Sequence, residues 1–540
     1  MFIQKVFNPV SSLLVNKRYK NIQSPYKAFD LIEKNVTLPN PTKGSILIGP
    51  IRMSGVAHAF EGVLGYSLRM RGYKVYALMC GQALDVCESK DLKFSSNIKC
   101  SGCFKEQKMF CETYGIEPIY INSVLSSKEK DDINLALKNM SIDNMKNPNG
   151  IDLIGEITSG LMRVLKSSDV KKNEFLPLLK KYGKTAMLTY QATENIFKKL
   201  KINQVVMSHG VYSTWGAMIR ATEDANIKTV VWGRGYVGTG NIMAAHGKSY
   251  LHYNIIEPLS NYINHELTQE ERQLTLEYIK NKRNPKSKVD YVSYYNKDKN
   301  ITKSIDIHKE LNIPKGVKIF GMFPNIPWDG QLFSSSEFYP NINQFVKSTI
   351  EWFIQNPEHY LVIRAHPAEL SSISGNQLET FATILNKSFP ILPKNVIFLE
   401  AGSHLSSYQI AEHIEAALLY AGTISLEFAT NKKIVIQTGK NFSSNKGFVF
   451  EPKNDKEYYH LLESIVNGKT AFTNEMYEKA LKFIYHWIFK RHIPETAIKL
   501  KGQLIFDGYY FNSTQELKDN KEISWFIDKM ETLEDFVYDL

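Results

Sequence analysis

The sequence predicts an α/β protein built from two doubly wound domains, and three observations support this fold class. The chain has 540 residues, which is too long for one hydrophobic core. Short apolar runs alternate with helix-like segments in both halves, the pattern of βαβ units with parallel sheets. A polar segment rich in lysine and tyrosine, residues 284–304, separates the two series and predicts an interdomain linker.

The first series begins at Gly44–Pro50 (GSILIGP), an apolar run that ends in a turn and predicts a strand. Residues 54–71 carry apolar side chains at helical spacing, and Lys74–Cys80 (KVYALMC) is the next predicted strand. The following predicted elements are strands at Ile116–Ile121, Val205–Ser208 and Thr229–Trp232, a long helical region over residues 151–200, and a helix at Trp215–Ala225.

The second series contains five short apolar runs. The predicted strands are Val317–Met322, Tyr360–Arg364, Val396–Leu399, Ala416–Tyr420 and Ile434–Gln437, with helices at Phe345–Gln355 and Tyr408–His413. Two such halves match the GT-B plan, two Rossmann-like domains facing a central cleft, with ligands at the carboxyl ends of the strands. The predicted domains are an N-terminal extension (1–43), an acceptor domain (44–283) with a cysteine-rich insertion (80–111), a nucleotide-sugar-binding domain (305–495) and a helical tail (496–540).

The composition limits the classes of partner that the protein is expected to bind. The formal net charge is +11, but the basic residues are spread through helix-like segments, so nucleic acid is not an expected partner. This charge suits an anionic membrane surface or a phosphorylated substrate instead. No apolar run approaches the roughly 18–20 residues that cross a bilayer, and Met1–Lys20 lacks the pattern of a cleavable signal. We expect a cytoplasmic protein, with peripheral contact at the inner face of the cytoplasmic membrane as an open alternative.

The most informative motif is Leu361–Glu369 (LVIRAHPAE). An apolar strand ends at Arg364, and Pro367 holds His366 in an extended loop at the edge of the sheet. A histidine there can donate a hydrogen bond to a phosphate oxygen and stabilise a leaving nucleotide. The alternative is a histidine that caps the next helix. We take His366 as a catalytic candidate, with Arg364 and Pro367 in the donor site.

A second motif, Tyr420–Ala429 (YAGTISLEFA), follows a later strand of the same series. Gly422, Thr423 and Ser425 let the backbone approach a ligand, and a helix start favours phosphate. Glu427 can accept hydrogen bonds from ribose hydroxyls. The alternative is a simple helix N-cap by Thr423.

A third segment, Pro324–Asp329 (PNIPWD), follows the first strand of the second series. Asp329 is a candidate to orient an acceptor or to act as a base. Loop aspartates also commonly cap turns, and that alternative stays open.

The first series offers an acceptor side. His209, in the SHG segment that follows a strand, is a candidate general base if its pKa is near neutral, the alternative being a helix cap. Arg234 in WGRGY can hold an anionic sugar or phosphate. Arg52 and Ser54 lie in a glycine-bracketed turn (GPIRMSG), which we assign to acceptor or anion binding. The turn lacks the dinucleotide fingerprint, so it does not predict an NAD site.

All five cysteines lie within residues 80–111. Cys80, Cys87, Cys100 and Cys103 have the spacing C-x6-C-x12-C-x2-C, which suits a structural zinc site, and Cys111 follows. The alternatives are an iron–sulfur cluster or reduced cysteines packed as small apolar side chains.

Three runs resemble capsule polysaccharide biosynthesis proteins: Leu311–Glu369, Ser406–Gly439 and Gly447–Pro452. The wider group is similar to bacterial Kdo transferases and sialyltransferase-like GT-B enzymes, which use a histidine–proline motif with CMP-activated sugars. The resemblance implies that His366 contacts the donor phosphate and that Thr423, Ser425 and Glu427 complete the nucleotide site.

The resulting hypothesis is a glycosyltransferase. It would transfer a sugar from a nucleotide donor, with a CMP-linked donor as one option, to a glycan or glycolipid acceptor, and it would require no cofactor for catalysis. The SHG segment resembles teichoic-acid glycerophosphate polymerases, so a CDP-glycerol-type polyol-phosphate transferase is an alternative. A non-catalytic capsule assembly or export factor and a sugar-nucleotide epimerase are further alternatives.

Overall fold

The computed structural model describes residues 26–30, 32, 37–52, 55–89, 97–238, 240–247, 257–284, 304–326, 328, 339–370, 377–501 and 505–538. The chain divides into two compact units. The first comprises residues 1–164, 169–250 and 491–539, and the second comprises 165–168, 251–490 and the last residue. Each unit is built around a parallel sheet. The predicted α/β class with two Rossmann-like domains is therefore confirmed.

The strands are short apolar runs that end at turns, as the sequence predicts. They are β1 (Ser45–Ile51), β2 (Lys74–Met79), β3 (Glu117–Tyr120), β4 (Gln204–Ser208), β5 (Lys228–Arg234), β6 (Asn241–His246), β7 (Ile319–Met322), β8 (Tyr360–Arg364), β9 (Val396–Leu399), β10 (Ala416–Leu419), β11 (Ile434–Gln437), β12 (Ile493–Pro494), β13 (Ile498–Lys501) and β14 (Ile505–Tyr509). The ten predicted strands are all present, with ends that differ by at most a few residues.

The helices follow the apolar periodicity of the sequence. They are α1 (Gly55–Met70), α2 (Asn97–Tyr114), α3 (Ile121–Val124), α4 (Ser127–Lys138), α5 (Ile154–Leu165), α6 (Leu176–Lys199), α7 (Ala217–Asp224), α8 (Gln269–Lys282), α9 (Ile307–Glu310), α10 (Ile342–Gln355), α11 (Phe381–Ser388), α12 (Ser407–Ala411), α13 (Ile424–Thr430), α14 (Asp455–Val466), α15 (Asn474–Tyr485), α16 (Thr514–Lys518) and α17 (Lys521–Thr532). Short 3-10 turns lie at Asn173–Phe175, Leu259–Asn261 and Pro367–Leu370, and π-helical turns lie at Tyr212–Gly216 and His486–Lys490.

The first unit contains a seven-stranded sheet in the order β12-β6-β5-β4-β1-β2-β3. The first strand, β1, pairs in parallel with both β2 and β4, so Ile48 lies opposite Ala77 on one side and Val206 on the other. Successive residues of β1, β4 and β5 are buried, because helices cover both faces of a parallel sheet. The antiparallel strands β6 and β12 extend the sheet at one edge.

The second unit contains a five-stranded parallel sheet in the order β11-β10-β7-β8-β9. Here too the first strand, β7, lies between the second strand and the fourth. In both units the chain therefore winds outward from the first strand and later crosses to its other side. This crossing is the topological switch point at which doubly wound sheets bind ligands.

The domain boundaries differ from those predicted. Residues 251–283, assigned by the sequence to the first domain, belong to the second unit. Residues 491–539 return to the first unit, where β12 pairs with β6 and the side chains of α17 join the same core as α1. The predicted separate tail (496–540) is thus part of that unit. Apolar burial, not position along the chain, decides where each helix packs. The predicted linker, except Asn284 and Ser304, and most of the predicted N-terminal extension lie outside the described residues.

Within the described part of the chain, no helix combines the length and the apolar character needed to cross a bilayer.

Candidate functional site

The switch point of the second unit lies between β7 and β10, at their carboxyl ends. The loop after β10 contains Gly422 and Thr423, and the loop after β8 contains His366. Because β7 alone separates β8 from β10, the ends of these two strands are about 10 Å apart at the usual strand spacing. The sheet order therefore places both predicted donor motifs at one edge, on either side of the crevice.

His366 is half-buried, and its ring orientation is fixed by the turn that follows it. The backbone N–H of Ala368 donates to His366 Nδ1 over 3.1 Å. Because Nδ1 is the acceptor, the ring hydrogen lies on Nε2. Burial and the nearby Arg364 lower the pKa of His366 to about 4. At neutral pH this histidine is therefore an uncharged hydrogen-bond donor through Nε2.

Gly422 has a φ of +135° and open space where a Cβ would stand, so its conformation specifically requires glycine. The Asn441 side chain holds the Gly422 carbonyl over 3.0 Å. Thr423 precedes α13 but makes no side-chain cap bond, so the capping alternative considered for it is wrong. Gly422 and Thr423 are both partly exposed and can meet a ligand.

Three donor-site predictions need correction, because these side chains are used inside the protein. Arg364 is 4% exposed and donates to the carbonyls of Ala365, Glu400, Ala401, Ser403 and Leu405. This use of the guanidinium makes Arg364 the support of the loop after β9 rather than a ligand contact.

Ser425 and Glu427 are likewise turned inward. Ser425 is 0% exposed and bonds the Gly422 carbonyl and the Ser443 hydroxyl. Glu427 is 3% exposed and accepts from the Tyr408 hydroxyl over 2.5 Å. Both side chains therefore support the site from inside the protein. Pro367 begins the 3-10 turn that positions His366.

The loop after β7 supplies a polar atom that the sequence did not indicate. Asn325 Oδ1 is buried and has no hydrogen-bond partner among the residues that the structure describes. Its Nδ2 donates to the Ile326 carbonyl over 3.1 Å, which fixes the amide. A buried acceptor without a donor at a switch point suggests a ligand contact. Asp329, predicted in the same segment, lies outside the described residues.

The switch point of the first unit lies between β1 and β4. Arg52 directly follows β1, His209 directly follows β4, and Arg234 ends β5. Three of the predicted acceptor-side residues therefore lie at one edge of this sheet. Ser54, the fourth, lies outside the described residues.

His209 occupies a constrained position. Its backbone has a φ of +60°, and its N–H donates to the Trp232 carbonyl over 2.7 Å. The imidazole stacks on Trp215 with ring centroids 5.3 Å apart, and the Ser208 hydroxyl contacts its Nδ1. The Arg52 guanidinium lies 4.0 Å from the centre of the same indole ring.

The charge around His209 bears on its predicted role. Burial and the guanidinium groups of Arg52, Arg163 and Arg234 lower its pKa to about 3. This low pKa does not fit a near-neutral base in the protein without ligand, and the role of His209 stays a prediction. The positive charges of three arginines act on this imidazole, and we name the set of Arg52, Arg163, Arg234 and His209 the cationic edge, which we expect to suit an anion.

Arg52 is itself held in place. Its Nε lies 2.9 Å from Glu88 Oε2 and also donates to the Thr214 hydroxyl, and its Nη1 donates to the Ser89 hydroxyl. Of the residues that form this edge, Arg163 on α5 and the stacking Trp215 were not found from the sequence, since neither lies in a recognisable motif. The one signal that could have found Trp215 is its position soon after a histidine that follows a strand.

The cysteine prediction is not supported by the described geometry. Among the residues that the structure describes, which include all five cysteines, no group of three or more His, Cys, Asp or Glu side chains is placed to hold a metal ion. Cys103 Sγ instead accepts from the Gln107 side chain, which also bonds the Ile51 carbonyl. The zinc site stays a prediction.

The two half-buried histidines of the candidate sites give a pH prediction. His209 and His366 have pKa values below the usual 6.5, so the unfolded chain binds protons that the folded chain does not. The stability that they contribute is complete above about pH 6.5 and is lost as the pH falls through the acid range. We expect His209→Gln and His366→Gln each to flatten the decline in urea stability between pH 6.5 and 4.5. The exposed His404→Gln is the control, and an unchanged decline in both test variants would contradict the assignment.

Two units in one chain, each with a doubly wound sheet and polar side chains at its switch point, define a two-domain α/β protein of Rossmann-like topology. No protein-family model matches the chain, and no curated protein matches its sequence. Among solved structures it is similar to the Thermosulfurimonas dismutans KpsC β-Kdo 2,4 transferase, with 12% identity and a TM-score of 0.36 over 59% of this chain and 87% of that one.

The KpsC β-Kdo 2,7 transferase of Thermosulfurimonas dismutans is also similar, with 11% identity and a TM-score of 0.33 over 64% of this chain and 89% of that one. A Neisseria meningitidis UDP-GlcNAc 2-epimerase has 10% identity and a TM-score of 0.24 over 91% of this chain and all of that one. Similarity at this level does not assign an activity.

Proposed function

We propose that this protein is a glycosyltransferase that moves a sugar from a nucleotide-activated donor to a glycan or glycolipid acceptor. The observation that carries this proposal is the edge of the second unit, where His366 and the Gly422–Thr423 loop flank the switch point. A strand-end separation of about 10 Å suits a phosphate group and the sugar attached to it.

The donor phosphate is placed beside His366. Because the ring hydrogen lies on Nε2, the imidazole donates to an oxygen of the departing phosphate as negative charge develops there. Its low pKa keeps it uncharged, so this donor does not titrate near neutral pH. Gly422 lets the backbone approach the phosphate, Thr423 supplies a hydroxyl, and Asn325 Oδ1 accepts from a nucleotide amino or hydroxyl group.

The acceptor is assigned to the first unit. An anionic group on the acceptor, bound beside Arg163 and Arg234, would offset the positive charge that lowers the pKa of His209. His209 then becomes a better base for the acceptor hydroxyl once that acceptor is bound. A CMP-linked donor and a capsule or other surface polysaccharide are the specific forms that we favour, with peripheral contact at the inner membrane face.

A polyol-phosphate transferase is the second candidate. The specific observation in its favour is the cationic edge around His209, which suits a phosphate-bearing acceptor as well as a carboxylated sugar. A non-catalytic assembly factor remains the alternative that is not an enzyme. The three candidates differ in the ligands that they bind and in the products that they form.

Nucleotide binding is the first test. We expect one of CMP, CDP, UDP and GDP to raise the thermal midpoint of the wild-type protein by a few degrees, since binding to the folded state alone stabilises it. The shift should be lost in Gly422→Val, where a side chain fills the approach to the phosphate, and kept in Gly468→Val on a distant turn. The absence of any shift would favour the non-catalytic candidate. Product analysis with CDP-glycerol, CMP-sugars and UDP-sugars then separates the two transferases, and donor conversion without acceptor would indicate an epimerase.

The acceptor assignment predicts a split between kinetic constants. Arg163→Gln and Arg234→Gln should each raise the acceptor KM about tenfold, the usual effect of losing one charge-assisted contact of about 1.4 kcal/mol, and leave the donor KM within twofold. Arg220→Gln, a surface arginine paired with Asp224 on α7, is the matched control. A larger rise in the donor KM would place the donor, not the acceptor, at this edge.

A further inference from the structure

Helix α1 carries two ionisable side chains that the proposed mechanism does not use. His58 and Glu61 lie one turn apart and are both 0% exposed. Buried ionisable groups destabilise a fold unless their partners compensate. The hydrogen bonds of His58 and Glu61 show which residues of the switch point they hold in place.

His58 reaches the end of β1. Its Nε2 lies 2.9 Å from the Arg52 carbonyl, and because a carbonyl only accepts, Nε2 is the donor. Its Nδ1 faces Glu106 Oε1 at 3.6 Å. Burial alone lowers the pKa of His58, but Glu106 more than offsets this, so the net pKa is raised. His58 therefore fixes the backbone of Arg52, which lies on the β1 side of the switch point.

Glu61 reaches the strands on the other side of the crevice. Trp232 Nε1 on β5 donates to Glu61 Oε1 over 3.1 Å. The carbonyl of the same tryptophan accepts from the His209 backbone N–H over 2.7 Å. Burial raises the pKa of the Glu61 carboxyl to about 7. Glu61 thus holds the indole of Trp232, the residue whose carbonyl anchors the His209 backbone.

We propose that Glu61 is a positioning residue that sets the place of the His209 imidazole through Trp232. One turn of α1 then holds the loops on both sides of the switch point. His58 holds the loop that contains Arg52, and Glu61 holds the loop that contains His209. A rigid helix that holds two loops in this way keeps a site within the narrow tolerance that catalysis needs. The inference rests on the proposed function only for its kinetic readout.

The way in which Glu61 is buried supports a role in the site rather than in stability. Among the described residues, Glu61 Oε2 and Glu106 Oε2 are buried without a hydrogen-bond partner. Such groups destabilise a fold, and apolar side chains of similar volume often replace buried charges without loss of stability. A carboxylate at this position is therefore better explained by what it positions.

The spectroscopic test needs no knowledge of the substrate. With histidine labelled in the full-length protein, the ring signals of His209 are assigned by their loss in His209→Gln and then followed at constant pH. Glu61→Leu removes the acceptor for Trp232 and should move the His209 signals. Glu61→Gln keeps an acceptor oxygen and should leave them close to those of the wild type. Ser67→Ala, a buried polar residue two turns further along α1, should have no effect.

The result that would overturn the proposal is a folded Glu61→Leu protein with unchanged His209 signals, or an equal shift in Glu61→Gln. Should Glu61→Leu not fold, Trp232→Phe removes the same hydrogen bond from the other partner, and an unchanged His209 signal there also overturns it. In the kinetic readout we expect kcat to fall about tenfold or more in Glu61→Leu and to be largely restored in Glu61→Gln. If the wild type transfers no sugar, the proposed function fails while the spectroscopic result still decides this inference.

Discussion

Replacing His366 by alanine should lower the transfer rate about 100- to 1000-fold, the usual loss when one donor to a developing negative charge is removed. In the proposed mechanism the neutral Nε2–H of His366 donates to the departing phosphate, and alanine supplies no donor there. His366 is only half-buried and lies in a turn, so we expect the thermal midpoint to change by no more than a few degrees. Single-turnover rates with saturating donor measure the first effect, and calorimetry measures the second.

A matched histidine in the same unit serves as the control. His404 contacts Glu310 on the surface, and its side chain is 73% exposed. His404→Ala should therefore keep the wild-type rate. A His366→Ala protein with the full transfer rate would show that the donor site is elsewhere.

Arg364→Met should give the largest loss of stability in the second unit. The arginine is 4% exposed and donates to five backbone carbonyls. Methionine keeps an unbranched stem but leaves these buried acceptors without a donor, and each loses about 1–3 kcal/mol of stabilisation if it stays dry. Allowing for water entry and relaxation, we expect a loss of about 3–5 kcal/mol in the free energy of unfolding. Urea denaturation measures it.

The surface arginine Arg272 provides the comparison. It forms a two-point pair with Glu478 on α15, and exposed pairs contribute only about 0–1 kcal/mol. Arg272→Met should therefore change the free energy of unfolding by less than about 1 kcal/mol. If Arg364→Met instead matches this control in stability while nucleotide binding is lost, Arg364 is a ligand residue as first predicted.

Much of the fold is predictable from the sequence, because the parallel strands are short apolar runs bounded by turns. Strands β6, β12, β13 and β14 were missed. They lie at sheet edges or in a small hairpin, where tertiary pairing outweighs the local pattern. The unit boundaries were missed because the chain leaves the first unit, forms most of the second, and returns to the first at residue 491. Nothing local in residues 491–539 indicates that their apolar side chains complete the first core.

The positions of candidate site residues were predictable, while their roles were not. A residue at the carboxyl end of a parallel strand lies at the ligand-binding edge by topology, which located His366, Gly422, Arg52 and His209. Whether such a side chain faces the ligand or the protein depends on contacts distant in sequence. Arg364 turns to the loop after β9.

The position of a bound nucleotide is the measurement that bears most directly on the central claim. In a crystal structure with the nucleotide that gives the largest thermal shift, we predict a phosphate oxygen within hydrogen-bond distance of His366 Nε2. We also predict contacts from the same ligand to Gly422 and Thr423. A nucleotide bound at the first unit, or a phosphate that touches neither loop, would contradict this account.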